Sequence, residues 1–234
     1  MAMRGDVVLI TGGGSGMGQL AARRFADEGK QLAIFDVNNE GLQATAQGRD
    51  NVHPWTVDIT DAAAVKQAVV EVEAQLGPVD RCYNAAAIMP LGKLMDMDPQ
   101  ATMRMMEINY GGLVNIAHAV VPGMAARGAG DFISFASMAG LIPTMLTGAY
   151  SASKTAAAFY TEILYHEHIN SGVRFACVCP PPVATPLLQQ GRDTVWPKML
   201  DQSETIEPGL VIDRIEQSLE KGEFWVFPNS QARL

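Results

Sequence analysis

The chain has 234 residues, of which 48% are hydrophobic and 18% are charged, as is typical of a globular protein with a sizeable core. Its net charge of -8 argues against a general binder of nucleic acids or of anionic membranes. No apolar run approaches the ~20 residues that a membrane-spanning helix needs, so we expect neither a nucleic-acid partner nor a membrane partner.

Short apolar runs alternate with segments of helical periodicity along the whole chain. The predicted strands cover residues 7–10, 31–36, 52–57, 81–84, 131–136, 173–178 and 223–227. The predicted helices cover residues 17–28, 39–47, 61–76, 98–126, 149–171 and 209–221. The fourth helix has a possible break near Gly111 and Gly112, and residues 180–207 are less regular. Repeated βα units indicate one α/β domain over residues 1–234, with a parallel sheet and helices on both faces.

A glycine-rich turn, T-G-G-G-S-G-M-G over residues 11–18, follows the first strand and opens the first helix. Glycines there permit a tight turn and a close approach of the backbone to a diphosphate, and the helix N-terminus offers free N–H groups. A merely flexible turn is the alternative. The strand–turn–helix context favours phosphate binding over that alternative.

Asp36 ends the second strand, where an acidic residue meets the adenosine ribose in dinucleotide-binding folds. Its carboxylate can accept hydrogen bonds from ribose hydroxyls and would repel a 2′-phosphate. Ser15 supplies no positive charge inside the glycine-rich turn. Both points predict NAD rather than NADP as the cofactor, with the capping of a turn as the alternative role for Asp36.

Tyr150 and Lys154 lie four residues apart at the start of a predicted helix, which places both side chains on one helical face. A phenol keeps its proton until about pH 10, and a nearby ammonium lowers the phenol pKa. The pair can therefore donate or accept a proton, as the interconversion of alcohols and ketones requires. Many surface helices carry Tyr and Lys at this spacing by chance, so the interpretation depends on the glycine-rich turn and on an upstream serine.

The cysteines and histidines predict no metal site. Cys177 and Cys179 flank Val178 in an apolar strand without further ligands nearby, and His166 and His168 point in different directions on a helix. The chain has three cysteines, which fit buried thiols in a reducing compartment, and its N-terminus lacks the layout of a signal peptide. We therefore predict a cytoplasmic protein.

Several motifs, in order along the chain, resemble those of the short-chain dehydrogenase/reductase family from residue 7 to about residue 228. The glycine-rich turn matches the cofactor loop, and Asp58 matches the acid that meets the adenine amino group. Residues 84–87 (N-A-A-A) match the family's N-N-A-G, and residues 180–185 (P-P-P-V-A-T) match the P-G-x-V-x-T stretch beside the nicotinamide. The resemblance implies that the cofactor is bound by Gly12, Ser15, Gly16, Met17, Gly18, Asp36, Asp58, Ile59, Asn84, Ala85, Ala86, Tyr150, Lys154, Val183 and Thr185.

The same resemblance implies four catalytic residues: Asn109, Ser137, Tyr150 and Lys154. Tyr150 would be the acid when a carbonyl is reduced and the base when an alcohol is oxidised. Lys154 would lower the phenol pKa and bind the nicotinamide ribose, and Ser137 would hydrogen-bond the substrate oxygen. Asn109 would hold a water that links Lys154 to solvent. The family pattern further implies a doubly wound, Rossmann-type sheet of about seven parallel strands and a homodimer or homotetramer.

Three positions depart from the family pattern. Ala85 replaces a second asparagine, and Ala87 and Pro181 each replace a glycine. Proline fixes φ and removes an N–H, so we expect a rebuilt backbone beside the nicotinamide if that glycine needs a positive φ. Because the catalytic residues remain, we favour an active enzyme.

Residues 186–206 occupy the position of the family's substrate lid. Apolar residues lie in this segment and near the catalytic positions: Leu187, Leu188, Val195, Trp196, Met199, Leu200, Ile88, Met89, Met138, Leu141, Met145 and Leu146. They indicate an apolar, adaptable pocket for a small-molecule alcohol or ketone, although packing in the core or at a subunit contact explains them about equally well.

The predicted function is the NAD-dependent interconversion of a secondary alcohol and a ketone. An epimerase, dehydratase or isomerase of a related fold is one alternative, and such enzymes usually have a longer C-terminal substrate region. A non-catalytic, NAD-sensing regulatory or scaffold protein is the other alternative. The loss of the catalytic Tyr, Lys or Ser would favour it, and none of them is lost.

Overall fold

The computed structural model describes residues 5–202 and 204–228 and is built around a parallel sheet. Its strands are β1 (Val7–Thr11), β2 (Gln31–Asp36), β3 (Val52–Thr56), β4 (Arg81–Asn84), β5 (Gly130–Phe135), β6 (Val173–Val178) and β7 (Trp225–Val226). The seven strands take the order β3-β2-β1-β4-β5-β6-β7, so the direction of winding reverses between β1 and β4. The predicted Rossmann-type, doubly wound fold is therefore confirmed.

Helices cover both faces of this sheet. They are α1 (Gly16–Asp27), α2 (Asn39–Ala46), α3 (Ala62–Leu76), α4 (Pro99–Met106), α5 (Gly112–Arg127), α6 (Gly148–Glu167), α7 (Pro186–Arg192) and α8 (Pro208–Lys221). No helix in the described ranges is both long enough and apolar enough to cross a membrane. Asp61 accepts hydrogen bonds from the backbone of the first turn of α3, as expected for the predicted cap.

Alternate residues of the strands face two separate cores. On β1, Val7 and Leu9 pack towards α3, α5 and α6, whereas Val8 and Ile10 pack towards α1, α2 and α8. All four side chains are buried. Strands covered on both faces need apolar residues at consecutive positions, which explains the continuous hydrophobic runs in the sequence.

The predicted break at Gly111 and Gly112 is wrong. Both glycines have helical φ values of -59° and -60°, and a π-helical segment, Glu107–Gly111, joins α4 to α5 without interruption. A side chain at position 112 would collide with Ile59, so this glycine permits close packing rather than a bend. A π-helical segment inserts one extra residue per turn and is frequent at functional sites.

Three predicted boundaries also need correction. The irregular region contains α7, which starts at Pro186, a residue suited to the first helical turn. The last helix before β6 ends at Glu167 rather than residue 171, and the Ser171 hydroxyl donates to the His168 carbonyl in the turn that follows. Strand β7 pairs only with Cys177 and Val178 at the edge of the sheet and is shorter than expected.

A buried ionic network lies at the amino ends of three strands. The parallel register places Arg81, Asp131 and Arg174 side by side on β4, β5 and β6. Asp131 is fully buried and accepts from Arg81 Nη2 at 2.7 Å and from Arg174 Nε at 2.6 Å. Glu216 of α8 accepts from Arg81 at 2.7 Å and from the Tyr83 hydroxyl at 2.8 Å. The network therefore fastens α8 to the end of the sheet that lies opposite the glycine-rich turn.

Replacing Asp131 with asparagine should lower the free energy of unfolding by about 3–5 kcal/mol, because Arg81 and Arg174 would both lose the buried negative charge that lies between them. Urea titration followed by circular dichroism measures the change. The matched control is Asp27→Asn, which removes a surface ion pair with Arg49 and should cost less than about 1 kcal/mol. Equal losses in the two variants would contradict this interpretation.

Candidate active site

The glycine-rich turn takes a conformation that only small residues permit. Gly12 and Gly16 have φ values of +71° and +54°, a region that favours glycine. A side chain at Gly18 would collide with the Gly12 carbonyl. The Thr11 hydroxyl donates to Asn84 Oδ1 at 2.9 Å and accepts from the Ala86 N–H at 3.1 Å, which joins the turn to the segment after β4.

Asp36 braces the turn from the end of β2. Its Oδ2 accepts from the Gly14 N–H at 3.0 Å, and its Oδ1 accepts from the Asn38 N–H at 3.0 Å. Asp36 therefore lies at the end of β2, as predicted, and it also accepts hydrogen bonds within the adjoining turns, which was the alternative role. The carboxylate also lines a cavity beside the turn.

This loop cavity has a volume of about 240 Å³ and lies between the glycine-rich turn, the ends of β2 and β3, and the segment after β4. Its lining includes most of the residues predicted to bind a cofactor: Gly12, Ser15, Gly16, Met17, Gly18, Asp36, Asp58, Ile59, Ala85, Ala86 and Thr185. Asn84 lies outside the lining because it is buried and bonded to Thr11.

Arg104 also lines the loop cavity, and the sequence reasoning missed it. Its guanidinium Nη2 lies 3.3 Å from Asp58 Oδ2, although the two residues are 46 positions apart. No motif marks this arginine. The sequence places Arg104 on the helix that leads to Asn109, but it does not indicate which face of that helix lines the cavity.

A second cavity of about 300 Å³, the tyrosine cavity, contains the predicted catalytic group. Ser137 follows β5, and Tyr150 and Lys154 lie in the first two turns of α6. All three line this cavity, as does Val183. The two cavities share Met17, Ala85, Ala87, Thr185 and Leu187 as walls, so they lie next to each other along the carboxyl ends of the strands, and we call the pair the cleft.

Burial controls the protonation of Tyr150 and Lys154. Tyr150 is 6% exposed and Lys154 is 3% exposed. Burial raises the pKa of Tyr150 to about 12, and a hydrogen bond with Ser137 acts in the opposite direction. Burial lowers the pKa of Lys154 to about 8, partly offset by the neighbouring Cys177 and Cys179. The predicted lowering of the phenol pKa is therefore wrong for the protein without a ligand, because desolvation dominates.

The Lys154 ammonium is directed at the strand rather than at the phenol oxygen. Its Nζ donates to the Phe135 carbonyl at 2.7 Å and lies 5.8 Å from the centre of the Tyr150 ring. The side chain therefore crosses beneath the tyrosine and reaches the end of β5. This contact fixes the start of α6 against the strand that leads to Ser137.

Asn109 lies in the π-helical segment and is buried, and its side chain already has protein partners. Its Oδ1 accepts from the Ile88 N–H at 2.9 Å, and its Nδ2 donates to the Ile88 carbonyl and to Ser153 Oγ, each at 3.0 Å. Ser153 in turn donates to the Tyr150 carbonyl at 2.7 Å. Asn109 therefore connects the π-helical segment with α6 and with the segment after β4.

The proline-rich loop after β6 keeps its place beside the tyrosine cavity. Pro181 replaces a family glycine, yet Val183 and Thr185 still line the cleft. The Pro180 carbonyl accepts from the Met138 N–H at 3.1 Å, and the Pro182 carbonyl accepts from the Ile206 N–H at 3.0 Å. These contacts brace the loop from both sides.

Part of the segment predicted as a lid lines the tyrosine cavity. Leu187, Leu188, Trp196 and Leu200 line the cavity, as do Met89 and Met138 from other segments. The Met89 N–H donates to Gln190 at 2.5 Å, and the Leu91 N–H donates to Thr194 at 2.9 Å. The remaining apolar residues of the prediction lie elsewhere: Ile88 lines the loop cavity, while Leu141, Met145, Leu146 and Val195 line neither cavity. Residue 203 of the predicted lid and the side chain of Met199 lie outside the part of the chain that the structure describes.

Comparison with known proteins gives consistent matches. A family profile described as short chain dehydrogenase matches residues 6–196. Human epidermal retinol dehydrogenase 2 is 28% identical over 95% of this chain and 74% of its own length. The 2-dehydro-3-deoxy-L-rhamnonate dehydrogenase (NAD(+)) of a Sphingomonas species is 33% identical over 80% of this chain and 75% of its own length. The 2-keto-3-deoxy-L-fuconate dehydrogenase of Xanthomonas campestris is 31% identical over 86% of this chain and 68% of its own length.

A solved structure supports the fold. The crystal structure of a short-chain dehydrogenase from Streptomyces avermitilis superimposes with a TM-score of 0.87, covering 97% of this chain and 89% of that one at 24% identity. Because identity is low, this likeness bears on the fold alone. The profile match and the relatives extend the assignment: the chain belongs to the short chain dehydrogenase family, a family of oxidoreductases.

Proposed function

We propose that this protein is an NAD-dependent oxidoreductase that interconverts an apolar secondary alcohol and the corresponding ketone. The observation that carries the proposal is the cleft of two adjacent cavities, one lined by the glycine-rich turn and the other by Ser137, Tyr150 and Lys154. One end fits a dinucleotide and the other holds proton-transferring groups. Residues 5–228 would work as one domain, with residues 186–206 as the lid.

The loop cavity fits a dinucleotide in shape and in chemistry. The positive φ values at Gly12 and Gly16 leave room for phosphates at the start of α1, where the helix dipole favours anions. Asp36 and Asp58 offer carboxylate acceptors for ribose hydroxyls and for an adenine amino group. Lys154, Val183 and Thr185 would hold the nicotinamide half. When bound, the nicotinamide supplies or accepts the hydride.

In the direction of reduction, Tyr150 donates its proton to the substrate oxygen. Burial keeps the phenol neutral, with a pKa of about 12, so the proton is present at working pH. Ser137 hydrogen-bonds both the phenol and the substrate oxygen and fixes their geometry. The Lys154 ammonium stabilises the phenolate that remains, because opposite charges attract strongly in a buried site. In oxidation the phenolate takes the proton back.

Asn109 would contribute by holding the site together and by ordering a water on the proton path from Lys154. Its contacts with Ile88 and Ser153 tie the π-helical segment to the start of α6. This support keeps the backbone near Tyr150 in place. The role of Asn109 in ordering that water rests on the resemblance of the sequence to the family.

The walls of the tyrosine cavity favour an uncharged, apolar substrate. Among the described residues that line it, Lys154 carries the only charge, and its ammonium is bonded to the Phe135 carbonyl. Met89, Met138, Leu188 and Trp196 provide an apolar surface around it. A substrate carboxylate would lose its hydration there without gaining a partner, which is costly.

We further propose a cytoplasmic homodimer or homotetramer. The outer face of α6 supports self-association, because Phe159 is 65% exposed and Ile163 is 44% exposed. Large apolar side chains that are close together at the surface often mark protein interfaces.

Replacing Tyr150 with phenylalanine should lower kcat by at least about 10²-fold, because the proton donor is lost. NADH binding, followed by protein fluorescence, should stay within about twofold, since the ring and its packing remain. The matched control is Tyr160→Phe, on the same helix but outside the cleft, which should leave kcat unchanged. Near-native turnover in Tyr150→Phe would refute the mechanism, and tight NADH binding without turnover of any ketone by the native protein would favour a regulatory role.

The native protein should bind NADH more tightly than NADPH, because the Asp36 carboxylate repels a 2′-phosphate. Asp36→Ala and Asp36→Asn should both narrow the preference by at least about tenfold, and asparagine should retain more of the bracing of the turn. Titration with both nucleotides measures the ratio. Preferential NADPH binding by the native protein would contradict the assignment of the cofactor.

Within a matched pair of substrates, a neutral cyclic ketone should have a kcat/KM at least about 10²-fold higher than its carboxylated analogue, because the acid must lose its hydration. Oxidation of NADH followed by absorbance gives both values. A panel that also contains 2-keto-3-deoxy sugar acids tests the activity itself. Preference for such an acid would refute the apolar substrate class while leaving the oxidoreductase function in place.

A further inference from the structure

One cation from a helix outside the glycine-rich turn forms part of the wall of the loop cavity. Among the described residues that line this cavity, Arg104 of α4 is the only one with a positive charge. Its Nη2 lies 3.3 Å from Asp58 Oδ2, and its Nη1 lies 3.3 Å from Thr60 Oγ1 and 3.2 Å from Glu107 Oε2. The guanidinium therefore spans from α4 to the segment that follows β3.

Asp58 is held in one orientation by these groups. Its Oδ1 accepts from the Thr60 N–H at 2.9 Å and from the Thr60 hydroxyl at 2.7 Å, while its Oδ2 faces Arg104. The hydrogen bonds from Thr60 lower the pKa of Asp58, burial opposes them, and Arg104 adds to the lowering. The carboxylate is thus ionised. Its Oδ1 is occupied by the two hydrogen bonds from Thr60, whereas its Oδ2, which faces Arg104, keeps a free lone pair for a ligand.

The Arg104–Asp58 pair contributes little to the stability of the fold. The side chains are 47% and 45% exposed, and exposed ion pairs usually contribute less than about 1 kcal/mol. Its position is more informative than its strength, because it edges a slot whose neighbouring walls, Ile59 and Ile108, are apolar. An apolar slot with an oriented carboxylate at its edge suits a flat heterocycle that carries an amino group.

We propose that Arg104 is a positioning residue for the adenosine half of the dinucleotide. It holds the Asp58 carboxylate in the orientation that accepts a hydrogen bond from the adenine amino group, and it closes that end of the cavity from α4. The inference rests on the proposed function, since it requires a dinucleotide in the cleft. It predicts an effect on the affinity for the adenine end and none on the chemistry at Tyr150.

The test compares two ligands in four proteins: the native chain, Arg104→Met, Arg104→Lys and Glu107→Gln. NADH carries the adenosine half, and reduced nicotinamide mononucleotide lacks it. Arg104→Met should weaken NADH binding about tenfold, and Arg104→Lys should restore part of the affinity. Glu107→Gln alters a group that contacts Arg104 without contacting Asp58, and its NADH affinity should match that of the native protein. Binding of the mononucleotide and kcat at saturating NADH should be the same in all four proteins.

The outcomes separate the possible failures. Unchanged NADH affinity in Arg104→Met would overturn the inference and leave the proposed function intact. Equal weakening of NADH and of the mononucleotide would show a displaced α4 and would also overturn it. A native protein that binds no NADH would overturn the proposed function together with this inference.

Discussion

The hydrogen bond from the Lys154 ammonium to the Phe135 carbonyl is the interaction on which the site depends. It spans from α6 to the end of β5 at 2.7 Å and is almost fully removed from solvent. Because burial lowers the pKa of Lys154 to about 8, much of the population is still charged at neutral pH, but at a cost that other packing must offset. The same contact holds the start of α6, where Tyr150 lies, against β5, the strand that leads to Ser137. The burial of Lys154 therefore determines both its contact with β5 and the lowering of its pKa.

The parallel sheet separates the charged groups of the protein between its two ends. At the amino ends, Asp131 lies between Arg81 and Arg174 and is fully neutralised by them. At the carboxyl ends, the glycine-rich turn, Asp36 and the catalytic group open into the cleft. The closed network at one end fastens α8 to the sheet, whereas the polar groups at the open end line cavities that a ligand can enter. Ligands of open α/β sheets bind at this carboxyl edge, where the winding reverses.

Local signals predicted the parts of the fold that local physics determines. The cap at Asp61, the turn at residues 11–18 and the continuous apolar strands depend on neighbours in sequence, and the structure has them as expected. The π-helical segment and α7 were missed, because both depend on contacts between distant parts of the chain, such as Asn109 with Ile88 and Ser153. The predicted lowering of the Tyr150 pKa is wrong for a related reason. Spacing identified the neighbouring ammonium, but only the folded chain reveals the extent of burial.

The departures from the family pattern affect the shape of the cleft more than its chemistry. Ala85 and Ala87 are walls shared by the two cavities, and Pro181 lines the tyrosine cavity. None of them has an ionisable side chain, whereas Tyr150 and Lys154 do, and the Lys154 Nζ lies 5.8 Å from the centre of the Tyr150 ring. Small apolar groups at the junction and the proline loop therefore shape the walls beside Tyr150 and Lys154 without replacing either residue. Lys154 carries its charge in a site where burial disfavours that charge, and both the proposed proton transfer and the proposed contact with the nicotinamide ribose depend on it.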